Sequence, residues 1–247
     1  MSEGLFSTID HVIQRAGSSD PEEVIDKLGI EPVNDLCGSI IGYATRFGRY
    51  EVIGYHHSLC GMEKRLVIWH ELIHVIRKHI YEPRLRGLCT DTKVFAQDID
   101  SRVIIIHEME ANLGSADQAI STQDVYDITG YNTPIMIDYR NLNHRQKELK
   151  RAYEQLLHST YSSAPSAKVL CRIKEYEHAL GILERQKEEM EGDLISMNCL
   201  KTFDEIACEL EITTRVLKYK LEAMRLRGDD INRQELEHYS KMYEDVL

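Results

Sequence analysis

The stretch VIWHELIHVIRKH, residues 67–79, sets two histidines four positions apart with a glutamate directly after the first. Around it, Leu66, Trp69, Leu72, Ile73 and Ile76 recur at helical intervals. This predicts a helix over residues 60–80, ended by Pro83 and Gly87. Each residue of a helix advances about 100°, so His70 and His74 lie about 40° apart on one face, one turn from each other. Two imidazoles so placed could grip one metal ion. Glu71 points between them and would reach a water on that ion rather than the ion itself. An ordinary amphipathic helix can carry the same residues by chance, so a further donor must come from elsewhere in the chain.

A zinc site with two histidines is completed by a third protein ligand that leaves one position open. The segment IIIHEMEANLGSADQAIS, residues 104–121, offers donors if it is helical, although its β-branched start at Val103–Ile106 weakens that reading. Glu108 and Asn112, four apart, share a face. Glu108 is the favoured ligand, and Asn112 would hydrogen-bond a ligand histidine from behind. Glu110 lies about 200° away from Glu108 around such a helix and is expected to face solvent. Glu110, His79, His107 and His56 remain the other candidates for the third ligand. His79 falls past the next turn from His74 and is expected at the surface. The paired His56 and His57 are read as strand-end residues that could flank a cleft.

Composition narrows the function classes. The 247 residues can bury a real core, and 43% hydrophobic with 29% charged residues reads as a soluble globular chain. A formal charge of −11 argues against a protein whose main task is gripping nucleic acid. No apolar run is long enough to span a membrane, and the start lacks a basic segment followed by an apolar one, so a cytoplasmic location is expected. Cysteines at 37, 60, 89, 171, 199 and 208 form no Cys-x-x-Cys pair and are expected to be reduced, buried thiols. A longer His-Glu-x-x-His-x-x-Gly-x-x-His site is excluded, because positions 77 and 80 are Arg77 and Ile80. There is no Walker-type phosphate loop, no Gly-x-Ser-x-Gly elbow and no repeat of 20 to 50 residues.

The rest of the chain divides into a mixed first part and a helical remainder. GLFSTIDHVIQRA has helical periodicity. PEEVIDKL follows as a second helix, with Asp20 as N-cap, Pro21 in the first turn, Glu22 and Glu23 at the positive end, and Gly29 as the stop. EPVND, GSIIGYATRF and GRYEVIGYHH are β-prone, the last two forming a hairpin that turns near Gly48. After residue 121 come a short helix ended by Gly130, then two long helices separated by the SSAPS turn at 162–166. The second carries a stripe of Val169, Ile173, Tyr176, Leu180, Leu183 and Met190 broken by Lys187, which predicts an antiparallel hairpin. KTFDEIACELEITTRVLKYKLEAMRLRG has helix-turn-helix rhythm: Thr202 caps one helix, Glu211-Ile212-Thr213 makes the turn, and Arg215, Lys218, Lys220, Arg225 and Arg227 face one acid, Glu222. INRQELEHYSKMYEDV reads as a last amphipathic helix.

The HELIH helix, the "ExxAN" segment from Glu108 to Asn112, the "PEEVIDKLGI" stretch and the small β region together resemble the ImmA/IrrE family of metallo-endopeptidases over about residues 10–125. The resemblance implies a zincin-like domain at 1–125 with a small β-meander and the HExxH helix; with the helical periodicity of the remainder, the expected fold is α+β, followed by an all-α region with a hairpin at 126–195 and a helix-turn-helix-like unit at 196–247. It implies Zn2+ held by His70, His74 and Glu108, with Glu71 as catalytic base. The implied activity is endoproteolysis of a helix-turn-helix repressor that silences a prophage, mobile element or stress regulon. Ile73 departs from the family's usual glycine, and Gly114 and Ser115 stand where a large apolar residue and alanine are usual. A bound zinc would acidify its water, and Glu71 would take that proton and later pass it to the departing amine. Tyr55, Tyr81, His79 and His107 are the candidate donors to the oxyanion. The alternative is a DNA-associated regulator built on a degenerate, non-catalytic zincin domain, with the basic helix at 213–227 touching DNA.

Overall fold

A computed structural model describes residues 3–36, 40–81, 101–160, 165–196 and 201–229, together with Ile231 and Leu236. It is α-rich with one small mixed sheet, an α+β arrangement. The described residues up to Val125 form one compact unit with those from Phe203 on, while those between Tyr126 and Thr202 form a second. The segment expected to stand apart as a third domain therefore clusters with the first. All of the expected last helix but Ile231 and Leu236 lies outside the described residues, as do Cys37, Cys89 and Cys199.

The first unit opens with α1 (Glu3–Ala16) and α2 (Pro21–Leu28). Asp20 caps α2 by accepting from the backbone N–H groups of Glu22 and Glu23, and Gly29 ends it with φ of 69° in the left-handed region. Three strands follow: β1 (Glu31–Leu36), β2 (Gly42–Phe47) and β3 (Tyr50–His56). Their order is β1-β3-β2, with β1 parallel and β2 antiparallel to β3, so the sheet is not the meander expected from the sequence. The reason is apolarity: β3 buries Val52, Ile53, Gly54 and Tyr55 in succession and takes the centre, while the polar β1, with Pro32 unable to donate a ladder bond, stays at an edge. Gly54 is required there, because a Cβ at that position would collide with the Tyr43 ring lying across from it.

Helix α3 spans Gly61–Ile76, shorter than expected, and a single 3-10 turn covers His79–Tyr81. The break comes at Lys78, whose φ of 60° reverses the chain. Helix α4 (Ser101–Ala119) crosses α3, and its β-branched start is helical after all. Residues Leu113 to Asp117 are all buried, so α4 has no solvent face at this level. Gly114 permits the crossing: a Cβ there would come within 2.9 Å of Ile73 Cδ1 and 3.0 Å of Ile9 Cδ1. The large Ile73 and the absent side chain of residue 114 thus form a complementary pair.

On another face of α4 lies α9 (Thr214–Arg227), joined to α8 (Phe203–Glu209) by a tight turn. Glu211 adopts φ of 56° in that turn, and Thr213 Oγ1 accepts from Val216 N–H to cap α9. In the second unit, α5 (Thr122–Thr129), which crosses the boundary, leads to α6 (Pro134–Thr160) and α7 (Ala167–Ser196). Tyr139 donates to Glu191 at 2.5 Å and Tyr153 to Glu177 at 3.0 Å, so contacts climb α6 as they descend α7, an antiparallel hairpin. Cys60, Cys171 and Cys208 are free but exposed, not buried as expected. They sit just before α3 and on outward positions of α7 and α8, where small thiols meet water without cost to the core.

Candidate metal centre

The i, i+4 spacing on α3 brings the two imidazoles together as helical geometry requires: His70 Nε2 and His74 Nε2 are 3.2 Å apart. Helix α4 delivers Glu108 opposite them, with its carboxylate oxygens 3.4 Å from His70 Nε2 and 3.5 Å from His74 Nε2. These three residues are the group found among the described residues that could hold a metal ion. A tetrahedral ion with bonds of about 2.0–2.1 Å to nitrogen and oxygen has ligand–ligand edges of about 3.3–3.4 Å. The three residues form a donor triangle of about this size, each imidazole lying nearest a different Glu108 oxygen, and two imidazole nitrogens with one carboxylate are a donor set that suits zinc.

Burial opposes a charge on His70, yet the hydrogen bond and charge of Glu108 and the charge of Glu71 outweigh it, and its pKa is raised. His74 is pushed down to about 3 by burial and by His70, so it stays neutral with a lone pair to offer. Burial works against ionisation of Glu108, but its hydrogen bond to His70 and the surrounding imidazoles hold it below the ordinary carboxylate range.

Glu71 is 3% exposed. Burial pushes its pKa up to about 7, and a backbone hydrogen bond from Ala44 of β2 pulls the other way. The strand passes this close because residue 42 is glycine: a Cβ there would meet Val67 Cγ1 at 2.7 Å and Glu71 Oε1 at 3.0 Å. A cleft of about 730 Å³ opens beside His70, Glu71 and Glu108. Its far wall is α9, through Val216 and Tyr219. Sequence reasoning missed this contribution, since nothing local in α9 signals that it faces a helix more than a hundred residues earlier.

Several expected placements are overturned. Asn112 lines the cleft, and among the described hydrogen bonds its side chain makes none to His70 or His74. That place behind His74 is taken by His79, read from the sequence as a surface residue but 5% exposed. The left-handed Lys78 folds it back until its Nδ1 is 3.0 Å from His74 Nδ1. Glu110, expected in solvent, is 7% exposed because α3 and α9 cover α4 on both sides; it pairs with Arg77 at 2.9 Å and His79 at 3.2 Å.

None of the four proposed oxyanion donors lines the cleft. Tyr55 donates to Glu22, Tyr81 donates to Glu51 beneath Arg46, and His107 stacks on His79. The donors that do line it include Asn112, Arg215 and Tyr219. His56 is half-buried, bonded to Ser58 and stacked on His57, away from the cleft lining.

The basic run of α9 is also less free than its sequence suggests. Lys220, 1% exposed, donates to the Asp117 carbonyl and to Thr122, both at 3.1 Å. Arg227 bridges Asp10 and Asp117, and Arg225 pairs with Glu222. Three of its five cations thus bolt the helix in place or neutralise a neighbour.

No helix among the described residues is long and apolar enough to cross a membrane. No protein-family model, curated protein or solved structure matches the chain, so its function must be argued from the chemistry of these side chains.

Proposed function

We propose that the protein is a zinc-dependent endopeptidase in which His70, His74 and Glu108 hold the metal and Glu71 is the general base. The observation that carries this is the convergence, from two helices and beside a buried carboxylate, of two Nε2 atoms 3.2 Å apart with the Glu108 carboxylate, whose two oxygens lie 3.4 Å from His70 and 3.5 Å from His74. Zinc would supply a Lewis acid that polarises a peptide carbonyl and acidifies water. Glu71, with its pKa raised to about 7 by burial, both accepts a proton at its carboxylate and returns it to a leaving amine near neutral pH. Gly42 admits Glu71 to the site, and the Ala44 N–H fixes the carboxylate's orientation. Asn112, Tyr219 and Arg215 are the cleft donors available to a developing oxyanion.

The cleft is of a size that encloses several side chains, and Ile41, Leu66, Val67 and Val216 offer an apolar wall, which suits an extended protein segment rather than a small polar molecule. In this reading the first unit is zincin-like, with α8 and α9 forming a helix-turn-helix-like wall of the cleft. The resemblance to ImmA/IrrE endopeptidases makes a cytoplasmic helix-turn-helix repressor the substrate class to test first. The alternative of a DNA-binding regulator draws less support, because Lys220, Arg225 and Arg227 are already paired.

The test is metal content measured beside proteolysis. Purified protein is expected to hold one zinc per chain, and His74→Ala to lose both metal and cleavage. Glu71→Gln is expected to keep the metal while cleavage of a repressor-derived peptide library falls at least about 10³-fold. An active Glu71→Gln enzyme would sink the assignment of the base, and a wild-type protein without affinity for zinc would sink the whole reading.

A further inference from the structure

Behind His74 a hydrogen-bonded chain runs on for three more side chains. His74 turns Nε2 toward His70 and Glu108 and leaves Nδ1 3.0 Å from Nδ1 of His79. Nε2 of His79 lies 3.2 Å from Glu110 Oε2, and Arg77 clamps Glu110 with two hydrogen bonds of 2.9 and 3.1 Å. The His107 ring stacks on His79 with centroids 3.8 Å apart and planes 9° from parallel, so the His79 imidazole cannot swing away.

The donor and acceptor roles follow one from another. An ionised carboxylate only accepts, so His79 donates to Glu110 from Nε2 and presents a lone pair at Nδ1. His74 must then donate from Nδ1, which leaves its lone pair on Nε2, the atom that stands in the donor triangle. A purely structural Arg77–Glu110 ion pair would need neither the second histidine nor a nitrogen-to-nitrogen contact with His74.

We propose that His79 and Glu110 are positioning residues that lock His74 in the tautomer and ring orientation required to ligate a divalent metal. This rests on the reading of His70, His74 and Glu108 as ligands. The relay replaces the more familiar direct carboxylate behind a ligand histidine by a carboxylate acting through a second imidazole. It also gives a reason for burying a histidine and a glutamate that would otherwise only cost desolvation.

The experiment uses the full chain and competition between protein and a chelator for Zn2+, with Co2+ as a spectroscopic stand-in. His79→Leu is expected to weaken metal binding about 10- to 100-fold and to shift the Co2+ visible bands. His79→Gln, whose amide can accept from His74 and donate to Glu110, is expected to recover affinity to within about threefold of wild type. In the metal-free protein, nitrogen-15 spectra should show the His74 proton on Nδ1 in wild type and a mixture of tautomers in His79→Leu. Should His79→Leu fail to fold, Glu110→Gln takes its place, with a loss of about tenfold expected. Wild-type affinity and spectrum in His79→Leu or Glu110→Gln overturn the relay while leaving the metal site intact. A wild-type protein that binds neither ion overturns the metal reading itself, and a His74 proton found on Nε2 overturns the relay independently of any metal.

Discussion

Where α4 passes beneath α3, every residue from Leu113 to Asp117 is buried, whereas along the thirty residues of α7 Leu194 alone is buried among the described side chains. The stripe from Val169 to Met190 is only half-buried, and the charged groups around it remain in water. Polar side chains in the hairpin therefore cost little and contribute little. In the first unit Glu71, His79, Glu110, Asp117 and Lys220 are all taken out of water. Burying a charged or polar group without partners costs several kcal/mol, so each of these must be matched, and the matching fixes helices against one another. The two regions should respond differently to metal, to changes of side-chain size and to pH.

Metal should separate them most. Saturating Zn2+ at about a thousandfold over its Kd stabilises the native state by about 4 kcal/mol. Hydrogen exchange is expected to slow across residues 66–76 and 104–116 on adding zinc, and amides of α6 and α7 to change far less. Uniform slowing across both regions would show that they unfold together.

Core geometry comes next. Gly114→Leu is expected to cost about 3 kcal/mol by forcing α4 away from Ile73. Pairing it with Ile73→Gly should return at least half of that loss, measured by denaturant unfolding, because the double variant exchanges the large and small partners. Strictly additive effects would mean the two residues do not share one space.

A smaller effect is set by pH. Glu71 has its folded pKa raised to about 7 against an ordinary 4.5, so the folded state holds a proton that the unfolded chain has lost between those values. Stability then falls as pH rises through that window, and the penalty is complete above it. Glu71→Gln carries no such charge. In metal-free protein it is expected to be more stable than wild type by about 2 kcal/mol at pH 8, with the gap closing toward pH 4.5. A Tm difference independent of pH would contradict this.

Least sensitive is the hairpin. Tyr153→Phe removes an exposed hydrogen bond to Glu177 and should leave the unfolding midpoint unchanged, and Leu180→Ala on the half-buried stripe should cost about 1 kcal/mol. Larger losses would mean the hairpin holds more of the fold than its exposure indicates.

Much of the candidate site was legible because it depends on local geometry. Helical spacing alone brings His70 beside His74 and projects Glu71 between them, and Asp20, Pro21 and Gly29 mark the ends of α2 by capping chemistry that acts within a few residues. The choice of Glu108 over Glu110 also follows from helical angle once α4 faces α3. The heptad-like stripe foretold the antiparallel partner of α6 for the same reason, that its period is carried by one segment.

What the tertiary structure decided are the features in which residues distant along the chain compete for space or for hydrogen bonds. His79 is buried only because Lys78 takes a left-handed turn and Glu110 waits on another helix. Glu110 loses its solvent face only because α9 covers α4, and Lys220 and Arg227 cease to be a basic surface because Asp117 and Asp10 lie opposite them. The strand order rests on which strand has the most apolar surface to hide, a comparison among segments that no single segment contains. Periodicity and capping report what a stretch of chain prefers by itself; burial and pairing depend on what happens to lie across from it.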